Sequence, residues 1–330
     1  MKQVVIDSEE KAFEYLEKAL KNKIGDTPLE LKFDGWPFLQ IRLKGPGYDS
    51  TITSDIAEAV IELQRAVNRA YARTVHGTAN SRSLTDTERR DVQFKAKVKR
   101  GSSVLEINLG EFAEKLATAI TTKMSPEMLV LTVLGITVTG ASLLAYKAFL
   151  KHRSDDKQIE QTTRDRIAMS QEETKRAKIM ADALTRVPAL RHTRDDFDDA
   201  RQGILRSAAN ANSLEVNDLE IEGEAARVIG TARRTESEEV QLNGNYTILA
   251  TDLRRPDEIR LRVENRQTGQ EFFASFRDQT LNRSQVALLQ DAEWSRRPVY
   301  LSINARSLRG EITTATVISV TQQPLAARDE

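Results

Sequence analysis

The run MLVLTVLGITVTGASLLAY at positions 128–146 contains no charged residue and decides between a membrane protein and a soluble one. As a helix rising about 1.5 Å per residue it spans roughly 28 Å, close to a bilayer's hydrocarbon thickness of about 30 Å. The basic segment Lys147–Arg153 follows it, as at a cytoplasmic helix end. The run therefore predicts a transmembrane helix, marked by Met128, Leu131, Leu134, Leu143 and the interfacial Tyr146.

A soluble alternative stays open for the same run, namely a helix buried inside a protein core. Thr132, Thr137 and Thr139, together with Gly135 and Gly140, make the run less apolar than a typical membrane anchor. The two readings differ in what surrounds the helix, because a small domain rarely has enough core to cover such a helix on every side.

The segment just before the run, 108–124, has two faces on a helical wheel. The apolar face carries Phe112, Leu116 and Ile120, and the polar face carries Glu114, Lys115, Thr118, Thr121 and Thr122. The start of the chain has no apolar signal segment, so both soluble parts are expected in the cytoplasm, beside the cell inner membrane. A helical hairpin satisfies that topology, and in an oligomer its polar face would line a pore. The alternative is that 108–124 is the last helix of the N-terminal domain or lies in the membrane interface, which leaves a single span.

The predicted fold class is α+β, with four regions that differ in composition and periodicity. These are a small α+β domain at 1–107, the membrane helix or helical hairpin at 108–153, a charged helical connector at 154–212, and an OB-like β-barrel domain at 213–330.

The first region alternates between helical and strand-like spacing. Glu9–Lys21 has the spacing of a helix, with Ser8 as its N-cap. Leu29–Phe33 and Phe38–Leu43 alternate apolar and polar residues, and Asp34-Gly35 between them is typical of a hairpin turn. The polar stretch Thr78–Thr87 is predicted to be a loop.

The last region contains short strand-like runs with one helical segment, Asn282–Trp294, after the third of them. The runs are Tyr246–Leu253, Ile259–Val263, Glu271–Phe276, Val299–Ala305 and Glu311–Val320. This β-β-β-α-β-β order is that of an OB-fold, a five-stranded barrel, although other small barrels share the strand count.

Arginines cluster at the places where OB-folds bind oligonucleotides, which are the strand two–three face and the loops after strands one and four. The candidate ligand residues are Arg254, Arg255, Arg260, Arg262, Arg306 and Arg309. Guanidinium groups bind phosphates through several donors in a fixed fork, and Phe272, Phe273 or Phe276 would stack on bases. The predicted ligand is therefore a nucleotide or single-stranded DNA. The alternative is an ordinary exposed sheet face, because Asp257 and Glu258 lie among the arginines.

Composition and motifs give no support to an enzyme. Lys+Arg and Asp+Glu both number 49, and the absence of cysteine excludes disulfides, thiol catalysis and Cys-ligated metals. No phosphate-binding loop, dinucleotide fingerprint or nucleophile elbow is found. The acidic stretch Asp195–Asp199 lacks EF-hand spacing and is predicted to be a solvated helix face. We therefore expect no catalytic residues, no cofactor and no metal.

The layout resembles the membrane effectors of bacterial antiphage defence, and more narrowly the channel subunits of the Hailong system. The features behind the resemblance are the apolar Met128–Tyr146, the basic Lys147–Arg153 and the barrel-like Tyr246–Val320 with its arginine loops. The resemblance implies a homo-oligomer, namely a tetramer, in contact with membrane lipid. It also implies an ion channel gated by a DNA oligomer, with a nucleotidyltransferase as partner. A different class of function stays open: a membrane-tethered adaptor or scaffold that binds a partner protein and conducts no ions.

Overall fold

The computed structural model describes residues 2–48, 51–98, 103–155, 157, 159–231, 237–255, 257–277 and 280–322. The chain divides into two compact units. The first comprises Met1–Val75 and Asp86–Arg234, and the second comprises His76–Thr85 and Thr235–Glu330. The chain therefore leaves the first unit at His76, returns to it at Asp86 and leaves it again at Thr235.

The first unit combines helices with two sheets. Its strands are β1 (Lys2–Ile6), β2 (Leu29–Phe33), β3 (Phe38–Lys44), β4 (Ala96–Val98), β5 (Ser103–Asn108), β6 (Ser213–Val216) and β7 (Leu219–Glu222). Its helices are α1 (Glu9–Leu20), α2 (Ser54–His76), α3 (Asp86–Asp91), α4 (Gly110–Ile120), α5 (Pro126–Ala141), α6 (Leu143–Ser154), α7 (Gln161–Ile167), α8 (Gln171–Arg186), α9 (Ala189–Ser207) and α10 (Gly223–Gly230). Strand β1 pairs with β2 in parallel, and the larger sheet has the order β4-β5-β3-β6-β7.

The N-terminal elements follow the sequence prediction, but their pairing does not. The side chain of Ser8 accepts a hydrogen bond from the backbone N–H of Lys11, so it caps α1 as predicted. The predicted hairpin of β2 with β3 is wrong, because β2 pairs with β1 and β3 pairs with β5 and β6. Alternation of polar and apolar residues identifies a strand but does not identify its neighbour.

The apolar run forms two helices rather than the single helix that the sequence predicts. Helix α5 ends at Ala141, α6 begins at Leu143, and their axes differ by 60°. Ser142 between them is extended, and its hydroxyl accepts from the backbone N–H of Ala145 at 3.0 Å. Among the described residues, no single helix has both the length and the apolar composition to cross a membrane, whereas the bent pair α5–α6 meets that test by length and composition.

Helix α5 is buried from Leu129 to Ala141 and contacts α1, α4, α8 and α9. Its glycines permit this approach, since a Cβ on Gly135 would lie 2.6 Å from Leu190 Cδ1. Two of its threonine hydroxyls bond within the helix: Thr137 donates to the carbonyl of Leu134 at 3.0 Å, and Thr139 donates to that of Gly135 at 2.7 Å. The hydroxyl of Thr132 donates to the sulfur of Met124 at 3.8 Å. The residues that make the run less apolar are thus accommodated inside the protein.

The predicted connector and the start of the predicted barrel domain both contribute to the first unit. Pro188 separates α8 from α9, as expected, but α9 is part of the core, with Phe197 buried. The acidic stretch on α9 is not a solvated face throughout, because Asp196 is fully buried between Arg69 at 2.9 Å and Arg73 at 2.7 Å. Residues 213–230 belong to the first unit because β6 pairs with β3.

The second unit is a closed five-stranded β-barrel, which confirms the barrel predicted from sequence. The barrel strands are β9 (Gly244–Arg255), β10 (Glu258–Asn265), β11 (Glu271–Phe276), β12 (Val299–Leu308) and β13 (Glu311–Thr321), with helix α11 (Arg283–Ser295) between β11 and β12. A short additional strand, β8 (Glu238–Gln241), precedes them. The barrel closes in the order β9-β10-β11-β13-β12 and back to β9. The β11–β13 pair is parallel. Strand β8 pairs with the later part of β12, whereas β9 pairs with its first part.

Candidate ligand site on the barrel

The predicted arginines do not form a free basic patch, because carboxylates of the barrel pair with most of them. The shortest N–O distances are 2.6 Å for Arg254–Asp252, 3.2 Å for Arg255–Glu258, 2.6 Å for Arg262–Glu271 and 2.9 Å for Arg306–Glu239. Arg309 lies in the turn after β12, with a positive φ of 53° beside Gly310. The predicted residues are therefore spread around the barrel, and their charge is largely balanced locally.

The Arg254–Asp252 pair shows the geometry of this local balance. The guanidinium of Arg254 donates to both carboxylate oxygens of Asp252, at 2.9 and 2.6 Å. These hydrogen bonds hold the pKa of Asp252 at about 2, below its usual value. A phosphate competing for Arg254 would have to displace a fully ionised carboxylate.

Arg260 points to the outer face of the barrel, opposite Leu261 and Val263, as predicted, yet its side chain is only 5% exposed. The cause is the segment Ala79–Leu84, which we call the strap. The guanidinium of Arg260 donates to the backbone carbonyl of Leu84 at 3.3 Å.

The strap is shaped by Asn80 and held on the barrel by the same side chain. Its carboxamide oxygen accepts from the backbone N–H of Arg82 at 3.0 Å, which caps the short 3-10 helix Ser81–Ser83. Its amide nitrogen donates to the carbonyl of Phe273 on β11 at 3.1 Å. Leu84 is fully buried at the other end of the strap. The predicted loop Thr78–Thr87 is thus in large part a buried structural element.

The strap covers the strand two–three face on which the sequence places an oligonucleotide. Ser275 is paired with Arg260 in the β10–β11 register, so both lie on the outer face, and Ser275 is only 5% exposed. Phe272 and Phe276 are buried in the barrel core, which leaves Phe273 as the aromatic residue on the outer face. The face predicted to bind an oligonucleotide is therefore covered by the chain itself.

A polar groove lies beside the strap and is open to solvent. Its volume is approximately 490 Å³, and it is bounded by β8, β12, β13 and the strap. The lining residues are Arg82, Glu239, Val240, Gln241, Asn304, Ala305, Arg306, Thr314 and Thr316. Guanidinium, carboxamide and hydroxyl groups are the donors that bind phosphates and sugars and read base edges.

Only Arg306 of the predicted ligand residues lines this groove. Its side chain is 58% exposed, so its ion pair with Glu239 is solvent-screened and weak. Arg82 was missed by sequence reasoning because it lies about 150 residues before the barrel, in a stretch that carried no strand or helix pattern. The local signal is Asn80, which caps the turn that contains Arg82. The local sequence does not show that this turn packs on the barrel.

The predicted pore-lining residues lie on α4, which is shorter than the segment 108–124. Glu114 accepts from the backbone N–H of Phe33 at 3.0 Å, and Lys115 pairs with Asp91 at 3.1 Å. Thr118 and Thr121 donate to carbonyls of their own helix, and Thr122 lies beyond its end. The opposite face of α4 is buried and contacts β2 and α5. This packing is what we expect of the alternative, in which the segment is the last helix of the N-terminal domain.

Among the predicted membrane-span residues, Leu131, Leu134 and Tyr146 are buried within the first unit, and Met128 and Leu143 are half-buried. In the part of the chain that the structure describes, no group of three or more His, Asp or Glu side chains is placed to hold a metal ion. Comparison of the chain with protein-family models, curated proteins and solved structures finds no significant match.

Proposed function

We propose that this chain is a ligand-controlled membrane effector, in which the barrel binds a nucleotide or single-stranded DNA and the pair α5–α6 acts in the membrane. The observation that carries the proposal is the polar groove with Arg82 and Arg306 on a five-stranded barrel of OB-type strand order. Its volume falls within the range of roughly 300–1,000 Å³ that ligand sites occupy. The groove supplies two cations for phosphates and carboxamides for base or sugar contacts.

The membrane part of the proposal rests on the composition of α5 and α6. Helix α5 has no charged residue after Glu127, and α6 ends in Lys151, His152 and Arg153. Such an apolar segment with a basic end suits insertion with the basic end at an anionic cytoplasmic surface. Because α5 is covered by other helices in this structure, its insertion requires those helices to separate. Apolar surface would then move from protein to lipid, which limits the free-energy cost.

In this proposal the chain works at the cell inner membrane as a homo-oligomer, a tetramer, that forms an ion channel in antiphage defence. A partner nucleotidyltransferase would supply the oligonucleotide. The polar side of α4, with Lys115 and Thr118, would face the aqueous path once α5 faces lipid. Only the resemblance described above supports the subunit number and the partner.

Ligand binding is tested by titrating the full chain with single-stranded DNA of about ten nucleotides, within the site sizes known for OB-type grooves. We expect Arg82→Ala and Arg306→Ala each to weaken binding by about 1–3 kcal/mol. Arg297→Ala is the matched control, since Arg297 is an exposed arginine outside the groove lining. Equal affinities for all three variants and the parent would remove the groove from the proposal.

A second candidate is a membrane-tethered adaptor or scaffold that conducts no ions. The contacts on the polar side of α4 favour it, because Glu114 bonds to the backbone N–H of Phe33 and Lys115 pairs with Asp91. The two candidates differ at the polar side of α4. Replacing Thr118, Thr121 and Thr122 with leucine is expected to abolish ion flux from liposomes if the chain is a channel. The adaptor hypothesis predicts no flux from the parent chain and partner binding that the same replacements leave unchanged.

A further inference from the structure

The outer face of β10 and β11 carries ligand chemistry that the groove does not use. Arg260 and Ser275 face outward beneath the strap, and Phe273 and Arg262 lie next to them in the register. A guanidinium, a hydroxyl and an aromatic ring are the groups that hold phosphates and stack bases in single-strand sites. In the present structure the strap keeps Arg260 and Ser275 almost entirely from solvent.

The strap is anchored to the barrel by hydrogen bonds, and one of its buried groups opposes the closed position. Two of these hydrogen bonds run from the Asn80 side chain to the carbonyl of Phe273, at 3.1 Å, and from the Arg260 side chain to the carbonyl of Leu84, at 3.3 Å. The hydroxyl of Ser83 is buried with no hydrogen-bond partner among the described residues. A buried unsatisfied hydroxyl destabilises the closed position, because water would satisfy it once the strap opened.

The strap is also a connection within the chain. Met1–Val75 and Asp86–Arg234 belong to the first unit, whereas the strap belongs with the barrel to the second. Its N-terminal side continues directly from α2, and its C-terminal side leads into α3. A ligand that displaced the strap would therefore release a segment covalently joined to the helical unit at both ends.

We propose that the strap Ala79–Leu84 is a displaceable cover of the strand two–three face, and that its release exposes Arg260, Ser275 and Phe273 to a single-stranded nucleic acid. The nature of this ligand rests on the proposed function, whereas the cover itself does not. The occluded face adjoins the groove, because Arg82 of the strap lines that groove. Opening moves Arg82 with the strap, so a nucleic acid bound to the open state contacts Arg260 and Phe273 in place of Arg82. The apparent affinity for the nucleic acid is therefore reduced in proportion to the fraction of molecules in which the strap is open.

The test uses single cysteines in the full chain, which contains none of its own. Ser275→Cys places a thiol under the strap, Ala274→Cys places one inside the barrel, and Ser284→Cys places one on the exposed start of α11. Each is labelled with a maleimide in the parent background and with Asn80→Ala, which removes the strap's anchor to Phe273. A second opening variant, Leu84→Ala, guards against an effect peculiar to Asn80.

We expect Asn80→Ala and Leu84→Ala to raise the labelling rate at position 275 by roughly tenfold, since each removes an anchor of the closed strap. The rates at positions 274 and 284 should stay constant. Equal rates at position 275 in all backgrounds would overturn the proposal. A parallel rise at position 274 would overturn it too, because the barrel rather than the strap would then have opened.

Titration with single-stranded DNA of about ten nucleotides separates the cover from its ligand. If the face binds DNA, Asn80→Ala should tighten Kd by up to the same factor as the labelling rate, since the competent state becomes more populated. Faster labelling without DNA binding in any variant would support the cover and overturn the proposed ligand. Faster labelling with unchanged DNA affinity would overturn control of binding by the strap.

Discussion

The carboxylate of Glu9 accepts a hydrogen bond from the backbone N–H of Leu143, 134 residues later in the chain, at 3.2 Å. Leu143 is the first residue of α6, where helical N–H groups have no partner of their own. Glu9 is itself at the start of α1. One side chain of the N-terminal domain therefore stabilises the break between α5 and α6, together with Ser142.

Replacement of Glu9 separates its role as an acceptor from the effect of its charge. Glu9→Ala is expected to destabilise the protein by about 1–3 kcal/mol, because it leaves the Leu143 N–H unsatisfied. Burial raises the pKa of Glu9 above its usual value. The stabilising contribution of a raised pKa is fully present below the unfolded-state pKa and is lost as pH rises through the folded-state pKa. Glu9→Gln keeps an acceptor oxygen without the charge.

Denaturant unfolding as a function of pH measures both effects. We expect Glu9→Gln to be at least as stable as the parent at pH 7, with the difference shrinking as the solution becomes acidic enough to protonate Glu9 in both states. A Glu9→Gln variant as unstable as Glu9→Ala at pH 7 would show that the ionised carboxylate is required at the helix start.

Gly135 on α5 and Gly203 on α9 predict opposite effects for the same substitution to alanine. A Cβ on Gly135 would lie 2.6 Å from Leu190 Cδ1, so Gly135→Ala should destabilise by about 1–2 kcal/mol through overpacking. A Cβ on Gly203 would meet Ala59 only at ordinary contact distances of 3.5 and 3.6 Å. Gly203→Ala should therefore stabilise by about 0.5–1 kcal/mol through helix propensity.

Thermal unfolding of the two glycine variants in one buffer provides the measurement. The contrast depends on α5 being packed against α9 in the folded protein. If both variants gained stability, Gly135 would not lie against Leu190, and α5 would have open space or lipid at that position instead.

The barrel could be predicted from sequence because its strands and helix are consecutive and alternate clearly, as in Glu271–Phe276. The helical unit was harder, because its sheet joins β3 to β6, whose paired residues are 169 to 175 positions apart, and periodicity does not encode such pairings. The break at Ser142 depends on a carboxylate supplied by Glu9, which no window around 128–146 contains.

The candidate site shows the same division. Arg260 was placed on the correct face by alternation along β10, but its cover comes from Asn80 and Leu84, far away in sequence. The positions of the arginines suggested a basic patch, whereas the carboxylates Asp252 and Glu271 neutralise its members locally. Sequence spacing thus predicted which strand carries a side chain, but not what lies on top of it.

The buried carboxylate Asp196 is expected to be the most sensitive acidic position of α9. It is fully buried and pairs with Arg69 and Arg73, whose side chains are also largely buried. Asp196→Asn removes the charge that compensates two guanidinium groups, which should cost about 3–5 kcal/mol.

Asp195→Asn, one residue earlier, is the matched control. Asp195 pairs with Arg194 at 3.5 Å on the surface, so its replacement should change stability by less than about 1 kcal/mol. Urea unfolding of both variants compares them directly. Equal, small losses would mean that α9 does not use Asp196 to fix α2.

The lowered pKa of Asp252 is a prediction that can be measured at one carboxyl group. Hydrogen bonds from Arg254 hold its pKa at about 2, so its carboxylate should remain ionised well below the range in which ordinary aspartates titrate, around 3.9. A lowered pKa contributes stability that is present above the unfolded-state pKa and is lost as pH falls through the folded-state pKa. The contribution of this exposed pair should therefore disappear only in strong acid.

Carboxyl NMR titration of Asp252 in the parent and in Arg254→Ala tests the cause of the shift. The variant should titrate closer to an ordinary aspartate, because its chelating donor is gone while the backbone around Asp252 is unchanged. Arg297→Ala, distant in sequence and not bonded to Asp252, should leave the midpoint where it is. If the midpoint stayed near its parent value in Arg254→Ala, other groups such as Arg260 would have to hold the carboxylate ionised, and Arg254 would not be the cause of the lowered pKa.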